Sequence, residues 1–314
     1  MDQQSSGISL DRLRVFVAVI EHGGFTAAAR RLRVSQPTVS FHVRELERTF
    51  GASLLLPRGR GHGLTPAGEL VQAFARRVLG DAASTQRRLT SLEQGKAGRV
   101  RLGASLAFEQ AFFFDDVVAP FLDTHEQVEL SIVFDTSPKI AEAVRERTVD
   151  LGYVMGAPAP PDLRYEHLHG SAVAFFVSSS HLLAAETAPS AAAVGGAGLI
   201  TVPMDSAEWA YYAQVLRAAR MSRYRVALEV SGMQARVQAA RSGLGVLVTF
   251  WPPYAQRTEL AGLRRLDLQG GPMQGPEFGL LRREDAPTDP PARALTSWLR
   301  DATRQQEIGT GGGG

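Results

Sequence analysis

Apolar side chains recur every three or four residues through the first third of the chain, a spacing that predicts amphipathic helices. One stripe ends near Gly23 and another follows Ser35, with members Leu10, Leu13, Phe16, Val17, Ile20, Val39, Val43, Leu46 and Phe50. A short Ala-rich helix over 26–32 lies between them, followed by a tight break at Arg33 and Val34. A support helix followed by a helix with a polar tip is typical of a helix-turn-helix that enters the major groove of DNA.

The second helix of this pair has polar residues at its N-terminal end. Ser35 suits the N-cap and Pro37 is tolerated in the first turn, so we expect the helix to begin abruptly there. The positions that lie off the apolar stripe include Gln36, Thr38, Ser40, Phe41 and Arg44. Glutamine can pair with adenine and serine with either base type, so this end predicts base reading in the major groove. The alternative is an ordinary surface helix in a small bundle.

A Gly-punctuated basic segment follows the helix pair. Apolar runs at 54–56 and at Leu64 flank the sequence Pro-Arg-Gly-Arg-Gly-His-Gly at 57–63, which predicts a hairpin-like wing. Arg58 and Arg60 at its tip would reach phosphates or an adjacent minor groove and add salt-sensitive affinity. A flexible surface loop is the alternative.

The run from Leu10 to Leu79 resembles the N-terminal part of LysR-type transcriptional regulators. The motifs that carry the resemblance are Phe-Val-Ala-Val at 16–19, Gly-Phe-Thr-Ala-Ala-Ala at 24–29, Val-Ser-Gln-Pro-Thr-Val-Ser at 34–40, Leu-Glu at 46–47, Gly51 and Leu-Thr-Pro-Ala-Gly at 64–68. The resemblance implies a winged helix-turn-helix, a long dimerising linker helix and a C-terminal effector-binding domain similar to periplasmic binding proteins.

The resemblance also implies roles for single residues. By position, the groove contacts are Gln36, Pro37, Thr38, Ser40 and Phe41, and the phosphate contacts are Ser35 and Arg58. One position departs from the family pattern. Many members have Arg, Lys or Gln after the second serine of the motif, whereas this chain has Phe41. A ring there would contact a thymine methyl group or pack internally.

A long helix is predicted from Thr65, its N-cap, to about Leu92. Its apolar seam, with steps of three and four, consists of Val71, Phe74, Val78, Ala82, Thr85, Leu89 and Leu92. Its 28 residues span roughly 42 Å, more than a small domain needs for itself. A seam without an obvious partner in the same chain indicates a homodimer or homotetramer, although Ala82 and Thr85 weaken it. The alternative is packing across the chain's own effector domain.

Beyond a flexible hinge at 95–98, strands alternate with helices, which predicts α/β lobes. Strands are expected at 100–103, 128–134, 150–155, 172–178, 199–202, 226–230, 245–250, 263–267 and 278–282, and helices at 109–122, 139–146, 206–221, 232–242 and 292–304. We expect a DNA-binding domain over 1–64, a linker helix over 65–94, an effector domain over 95–306 and a disordered tail over 307–314. The effector domain would have lobe I at about 99–167 plus 270–306 and lobe II at about 168–268.

Ligands of open α/β sheets bind beyond the carboxyl ends of the strands, which gives candidate effector-binding residues. These are Ser105, Leu106, Thr136, Ser137, Pro203, Met204 and Phe250. Ser105, Thr136 and Ser137 stand where helices begin, so their hydroxyls and free amides suit an anion such as a carboxylate. LysR-like regulators use corresponding places for small effectors. The alternative is that these residues are ordinary N-caps.

Composition and charge narrow the class of protein. The chain has no cysteine, which excludes disulfides and thiolate metal sites, and neither a long apolar run nor a signal peptide is recognisable. Residues 1–92 contain 13 Arg, no Lys and 7 acidic residues, a net charge of +6; since the whole chain carries +2, the remainder carries −4. A basic N-terminal part on an acidic body fits DNA at one end and another ligand at the other.

Enzyme signatures are weak. The stretch from Gly103 to Ala107 lacks the second glycine of a nucleophile elbow, and the glycines of 59–63 do not have dinucleotide-binding spacing. His167 and His169 would point to the same side of a strand, but no third metal ligand is spaced to join them, so solvated or edge-strand histidines are favoured.

The sequence thus predicts a multi-domain cytoplasmic regulator that is not an enzyme. It combines an all-α winged helix-turn-helix and linker helix with a two-lobed α/β effector domain like that of periplasmic binding proteins. Expected partners are double-stranded DNA, a small-molecule effector, further copies of the chain and RNA polymerase, with no membrane, metal or other cofactor. The alternative function is a small-molecule-binding or enzymatic α/β domain with an accessory helix-turn-helix.

Overall fold

A computed structural model describes most of the chain: residues 8–56, 63–93, 98–109, 111–156, 160–221, 223–252, 260, 262–284 and 290–304. The chain divides into two units, one formed by residues 1–90 with 146–148 and the other by 91–145 with 149–314. Arg58 and Arg60 of the predicted wing and the tail over 307–314 lie outside the described residues.

The N-terminal unit is helical. Its helices are α1 (Leu10–Glu21), α2 (Phe25–Leu32), α3 (Gln36–Phe50) and α4 (Pro66–Glu93). Arg33 ends α2 in the left-handed conformation with φ 58°, and the Val34 amide then donates to the Ala29 carbonyl at 3.1 Å. This turn joins α2 to α3 and confirms the predicted helix-turn-helix.

Two small cores hold these helices together. Leu13, Phe16 and Leu46 are fully buried in a cluster that also contains Leu54 and Ala75. A second cluster joins Val19 of α1 to Ala28 of α2 and Val39 of α3. The apolar stripes of the sequence therefore meet one another, because residues three and four apart share one face of each helix.

The first half of the apolar seam of α4 was expected to have no partner in the same chain, and this expectation was wrong. Val71, Phe74 and Val78 pack against the same cluster as Leu13 and Phe16, so this half of the seam has a partner within the chain. Leu89 in the distal half is 50% exposed. The side chain of Leu92 is outside the described part of the structure.

The base of the predicted wing and the start of α4 are fixed by hydrogen bonds. Leu55 and Leu64 form an antiparallel bridge, and the Leu56 amide donates to the Gly63 carbonyl at 2.9 Å. Thr65 caps α4, since its Oγ1 accepts from the Gly68 amide at 3.0 Å. Its hydroxyl also donates to the Ser53 carbonyl at 2.6 Å.

The second unit contains two sheets, one per lobe. Lobe I has the order β2-β1-β3-β11-β4, from β1 (Gly98–Ser105), β2 (Val128–Asp135), β3 (Leu151–Met155), β4 (Leu163–His169) and β11 (Phe278–Arg283). Lobe II has the order β10-β5-β8-β6-β7 with β9 also on β5, from β5 (Ala172–Ser178), β6 (Leu199–Thr201), β7 (Val226–Glu229), β8 (Val246–Trp251), β9 (Leu263–Leu266) and β10 (Met273–Gln274). The parallel pairs β1–β2, β1–β3, β6–β7 and β6–β8 agree with the predicted βαβ units.

Helices cover these sheets. They are α5 (Ala111–Phe113), α6 (Ala119–Thr124), α7 (Ser137–Arg145), α8 (Ala191–Ala197), α9 (Trp209–Ala218), α10 (Met233–Arg241) and α11 (Pro290–Arg304). Helix α7 lies directly on the backbone of lobe I, because Gly103 of β1 and Gly152 of β3 are register partners. A Cβ atom at Gly152 would lie 2.9 Å from Cγ2 of Ile140, so the close packing requires glycine.

The chain crosses between the lobes twice, at adjacent positions. It enters lobe II at Gly170 and Ser171 and returns through residues 275–277. The two crossings are bonded to each other, since the Gly275 amide donates to the Ser171 carbonyl at 2.8 Å and the Ser171 hydroxyl donates to the Pro276 carbonyl at 2.6 Å. Strand β4 belongs to lobe I and β10 to lobe II, so both crossings lie later than the expected bounds at 167 and 270.

The helix expected over 109–122 is irregular. A 3-10 turn at Leu106–Phe108 and the short α5 precede a π-helical turn at Phe114–Val118, and α6 completes the segment. Pro120 explains the interruption, because it has no amide hydrogen and its ring would clash with the carbonyl of Asp116 in a regular α-helix.

Candidate functional site

The N-terminal end of α3 is capped as the sequence predicts. The Ser35 Oγ accepts from the Thr38 amide at 3.3 Å and lies 2.7 Å from the Thr38 hydroxyl. Pro37 is in the first turn, where its missing amide hydrogen costs no helical bond. Ser35 and Pro37 are exposed, so this end of the helix is accessible from solvent.

The next turn of α3 holds its polar side chains along the helix. The Gln36 side-chain amide donates to the Ser40 hydroxyl at 2.9 Å, and the Arg44 Nε donates to the Ser40 carbonyl at 3.2 Å. Gln36 therefore has a fixed direction before any ligand binds. Arg44 is exposed and pairs with no carboxylate among the described residues.

Phe41 is exposed to 52%, which excludes the alternative that its ring packs internally. Its ring is edge-on to the neighbouring His42 ring, at a centroid distance of 5.8 Å. Val34, in the turn before α3, is also exposed, to 42%. An exposed aromatic ring beside polar groups is available for contact with a partner.

Three arginines around the turn complete a basic surface that the prediction missed. Arg30, Arg31 and Arg33 are exposed, and none forms an ion pair with a described residue. The signal was visible in the sequence as a basic run immediately before the second helix. Arg48 differs, because its guanidinium lies 2.7 Å from the Glu45 carboxylate.

The lobe I residues of the predicted effector site lie together at the strand ends. Ser105 pairs in register with Asp135, which places Ser105, Thr136 and Ser137 at the same edge of the sheet. The Ser105 Oγ is fully buried and accepts from the Ala107 amide at 3.4 Å. It therefore caps the 3-10 turn that begins at Leu106.

At the start of α7, the Thr136 amide is not free for a carboxylate ligand. The Thr136 amide already donates to the Asp135 Oδ1 at 2.7 Å, and Pro138 in the first turn has no amide hydrogen. Lys139 lies 3.3 Å from the same Asp135 oxygen. The start of α7 thus already has a carboxylate of its own, which Lys139 neutralises in part.

The lobe II residues that were predicted to bind the effector have different environments. Pro203 and Met204 follow β6, and the Met204 amide donates to the Glu229 carboxylate at 3.2 Å. Phe250 is only 1% exposed and packs on Tyr212, so it belongs to the core and not to a pocket. A bond between the lobes lies nearby, from the Gln234 side chain to the Glu109 carbonyl at 2.5 Å.

A cavity of about 370 Å³ opens beside α7 and contains one predicted residue, Ser137. The walls combine apolar and charged side chains: Pro138, Ala141, Glu142, Arg145, Val154, Met155, Pro160, Ala207, Glu208, Tyr211 and Leu281. Glu208, which the sequence analysis missed, is only 5% exposed. It lies within the helix expected over 206–221, and nothing in the sequence marks it as buried.

The two histidines lie on β4, the edge strand of its sheet, which agrees with the expectation of edge-strand histidines, but their environments differ. A β-bulge in the pairing of β4 with β11 separates them. His169 is fully buried, donates from Nδ1 to the Gly170 carbonyl at 2.6 Å and accepts from the Tyr153 hydroxyl at Nε2. Burial lowers the pKa of His169 to about 4. His167 is half exposed, 3.9 Å from Glu277.

The described residues contain no group of three His, Asp or Glu side chains placed to hold a metal ion. None of their helices is long and apolar enough to span a membrane.

The sequence matches two family models, one over its helical N-terminal part and one over its two-lobed part. Residues 10–69 match "Bacterial regulatory helix-turn-helix protein, lysR family", and residues 93–304 match "LysR substrate binding domain". The chain belongs to the LysR family. It is therefore a DNA-binding transcriptional regulator with a substrate-binding domain.

Curated relatives match this regulator over most of its length. The RuBisCO operon transcriptional regulator of Allochromatium vinosum is 27% identical over 276 residues, which cover 88% of this chain and 90% of that one. The transcriptional regulator CbbR of Rhodospirillum rubrum is 24% identical over 296 residues, which cover 94% and 97%.

Solved structures share the fold of this LysR-family chain. CbnR, a LysR family transcriptional regulator, aligns with a TM-score of 0.69 at 19% identity, covering 95% of this chain and 100% of CbnR. Full-length CbnR complexed with its target DNA aligns with a TM-score of 0.68 at 20% identity, covering 94% and 100%. The helical N-terminal part followed by a two-lobed α/β domain is thus confirmed.

Proposed function

We propose that this regulator reads the major groove of its operator with the N-terminal end of α3. Gln36, Thr38, Ser40 and Phe41 contact base edges, and Ser35 contacts a phosphate. The observation that carries the proposal is that the first turns of α3 present an exposed Phe41 ring together with the polar Gln36 amide, which is hydrogen-bonded to Ser40. Glutamine recognises adenine by two hydrogen bonds, and a phenylalanine ring packs on a thymine methyl group. The operator half-site therefore contains A·T pairs at the positions facing these residues.

The arginines around the turn supply the affinity that is independent of base sequence. Arg30, Arg31, Arg33 and Arg44 lie at or beside the two helices and have no carboxylate partner among the described residues. They contact phosphates, as do Arg58 and Arg60 of the wing. Each neutralised phosphate releases counterions, which makes binding salt-dependent.

The complete protein acts in the cytoplasm as a homodimer or homotetramer that contacts RNA polymerase, and it is not an enzyme. The exposed Leu89 on the distal half of α4 supports an interface between copies. A small effector bound by the two-lobed unit changes the spacing of the paired DNA-binding units. Such linkage requires that the effector bind two quaternary states with different affinity.

The proposed groove contacts are tested by fluorescence anisotropy on a fragment upstream of the protein's own gene and on random DNA. Gln36→Ala should weaken binding to the specific fragment by about 10- to 100-fold and leave random DNA unchanged. Arg33→Asn should weaken both alike and reduce the salt slope by about one. Asparagine is chosen because it tolerates the left-handed backbone of Arg33.

Arg48→Ala is the matched control, because this arginine is on the same helix but is paired with Glu45. It should leave both affinities near those of the wild type. Equal losses on all DNA from Gln36→Ala and Arg33→Asn would refute the separation into base and phosphate contacts. A wild-type protein without preference for any upstream fragment would refute DNA reading by this surface.

A further inference from the structure

The cavity beside α7 has a buried carboxyl group without a hydrogen-bond partner. Glu208 precedes α9 and is 5% exposed, and its Oε1 has no partner among the described residues. Buried polar atoms in native proteins are nearly always hydrogen-bonded, and a buried carboxylate without a donor is costly. Other buried polar atoms of the described residues also lack a partner, but Glu208 Oε1 belongs to a carboxyl group that lines a ligand-sized cavity, where a bound donor can reach it.

The nearby cations of the protein do not supply this donor. Arg236, which is 1% exposed, acts on Glu208 through its charge, but its Nη1 donates to the Tyr212 hydroxyl at 2.7 Å. Arg145 at the cavity wall has its Nε 3.0 Å from Asp162. Neither guanidinium is hydrogen-bonded to Glu208 Oε1, although the Nε of Arg236 is itself without a hydrogen-bond partner among the described residues.

The remaining polar groups at this wall favour a cation as the ligand. Burial raises the pKa of Glu208, the Arg236 charge lowers it in part, and the negative charge of Asp135 raises it further. Glu142 adds a second carboxylate to the cavity wall. An incoming ammonium group would compensate the charge of the buried Glu208 carboxylate and reduce its repulsion from Asp135, against the repulsion that Arg236 and Arg145 exert on a cation. A carboxylate would add to the repulsion between Glu208 and Asp135.

The cavity also has acceptors in the number that an ammonium group needs. The Tyr211 hydroxyl uses its hydrogen on the Gly156 carbonyl at 2.8 Å, which leaves its oxygen free to accept. The Ser137 Oγ accepts from the Met155 amide at 3.1 Å and retains a second lone pair. With Glu208 Oε1 these atoms match the three N–H donors of a primary ammonium group.

The other walls of the cavity are apolar. Ala141, Val154, Met155 and Leu281 line it together with two prolines. We propose that this cavity binds a primary amine with an apolar body, its ammonium group on Glu208 and its body against α7, β3 and β11. The inference rests on the proposed function, in which the two-lobed unit binds the effector, and it replaces a carboxylate by an amine as the ligand class.

The test is isothermal titration calorimetry of the full-length protein at pH 8 with benzylamine as the probe and benzoate as its counterpart of opposite charge. Benzylamine should bind saturably to the wild type, and Glu208→Gln should weaken it by at least about tenfold, as expected for a charge-assisted hydrogen bond. Glu284→Gln is the matched control, because this glutamate is an exposed partner of Arg164 outside the cavity. It should bind benzylamine as the wild type does.

A second variant keeps the test decisive if Glu208→Gln folds poorly. Ala141→Leu fills the cavity but leaves Glu208 in place, so benzylamine binding should be lost. Wild-type protein that binds benzoate as tightly as benzylamine, or does not bind benzylamine saturably, would overturn the proposal. So would unchanged benzylamine affinity in either variant. DNA binding is measured on the same protein without amine, so its failure is distinguished from failure of the ligand inference.

Discussion

Acidification from pH 7 to pH 5 is expected to destabilise the two-lobed unit through His169. Its ring is fully buried, stacks on Phe278 and is neutral, with Nδ1 donating to Gly170 and Nε2 accepting from Tyr153. A proton on Nε2 would leave two donors facing each other unless the Tyr153 hydroxyl turned away, and it would place a charge in the core. Protonation is therefore coupled to unfolding.

The sign and size of this change in the free energy of unfolding follow from the pKa values of His169 in the unfolded and native states. Burial lowers the pKa of His169 from 6.5 to about 4, so between these values the unfolded chain binds a proton that the native state does not. The contribution to the free energy of unfolding is complete above pH 6.5 and is lost as the pH falls towards 4. At about 1.4 kcal/mol per pH unit the full loss is about 3 kcal/mol, of which about 2 kcal/mol occurs between pH 7 and pH 5.

Urea unfolding at several pH values, followed by tryptophan fluorescence, measures this loss. The three tryptophans of the chain, Trp209, Trp251 and Trp298, are all in the two-lobed unit, so the signal reports on that unit. His169→Gln removes the titrating ring and keeps a side chain that can accept from Tyr153. This variant should have a smaller decrease in unfolding free energy between pH 7 and pH 5, by about 2 kcal/mol.

His167→Gln is the matched control for this measurement. It removes a half-exposed histidine from the same strand, whose charge is the smallest of the three influences on the pKa of His169, so it should alter the pH dependence far less than His169→Gln does. Identical pH dependence of the wild type and His169→Gln would show that protonation of His169 is not coupled to unfolding and would refute the reasoning.

Two further predictions concern packing. Leu89→Glu on the distal half of α4 should shift the protein to a smaller species in size-exclusion chromatography with light scattering. Leu70→Glu is the control, because Leu70 is 76% exposed on another face of the same helix, and it should leave the mass unchanged. An unchanged mass for Leu89→Glu would exclude this face as the interface. Gly152→Ala should lower the free energy of unfolding by about 1–3 kcal/mol, because its Cβ meets Ile140 at 2.9 Å. A thermal unfolding cycle with Ile140→Ala should be less than additive, and additive losses would locate the strain elsewhere.

Much of the fold was predictable because local patterns and tertiary packing agree. The helix-turn-helix, the N-caps at Ser35 and Thr65 and strands such as β5 follow from side-chain spacing and turn chemistry. The prediction for the seam of α4 was wrong in its first half, because the partner of that face is decided by tertiary packing. Periodicity showed that Val71 and Phe74 share a face, but it could not show that the first core of the same chain covers that face.

The candidate site was less predictable, because burial and charge arise from residues distant in sequence. The rule for strand ends correctly predicted that Ser105 and Thr136 lie at the same edge of the sheet. The sequence did not show that the Thr136 amide already donates a hydrogen bond to the Asp135 carboxylate. Phe250 followed the rule for strand ends but lies in the core. Glu208 had no local signal, since its unusual state depends on Arg236 and Asp135 in other elements. The roles of the DNA-facing residues remain predictions.

The paired crossings between the lobes limit the motion that a ligand can produce. Hydrogen bonds join Ser171 in one crossing to Gly275 and Pro276 in the other. The two crossings therefore form one narrow ribbon instead of two independent linkers. The lobes can then rotate chiefly about that ribbon, while sliding or twisting would break its bonds. We therefore expect a ligand that changes the angle between the lobes to do so by rotation about these two crossings.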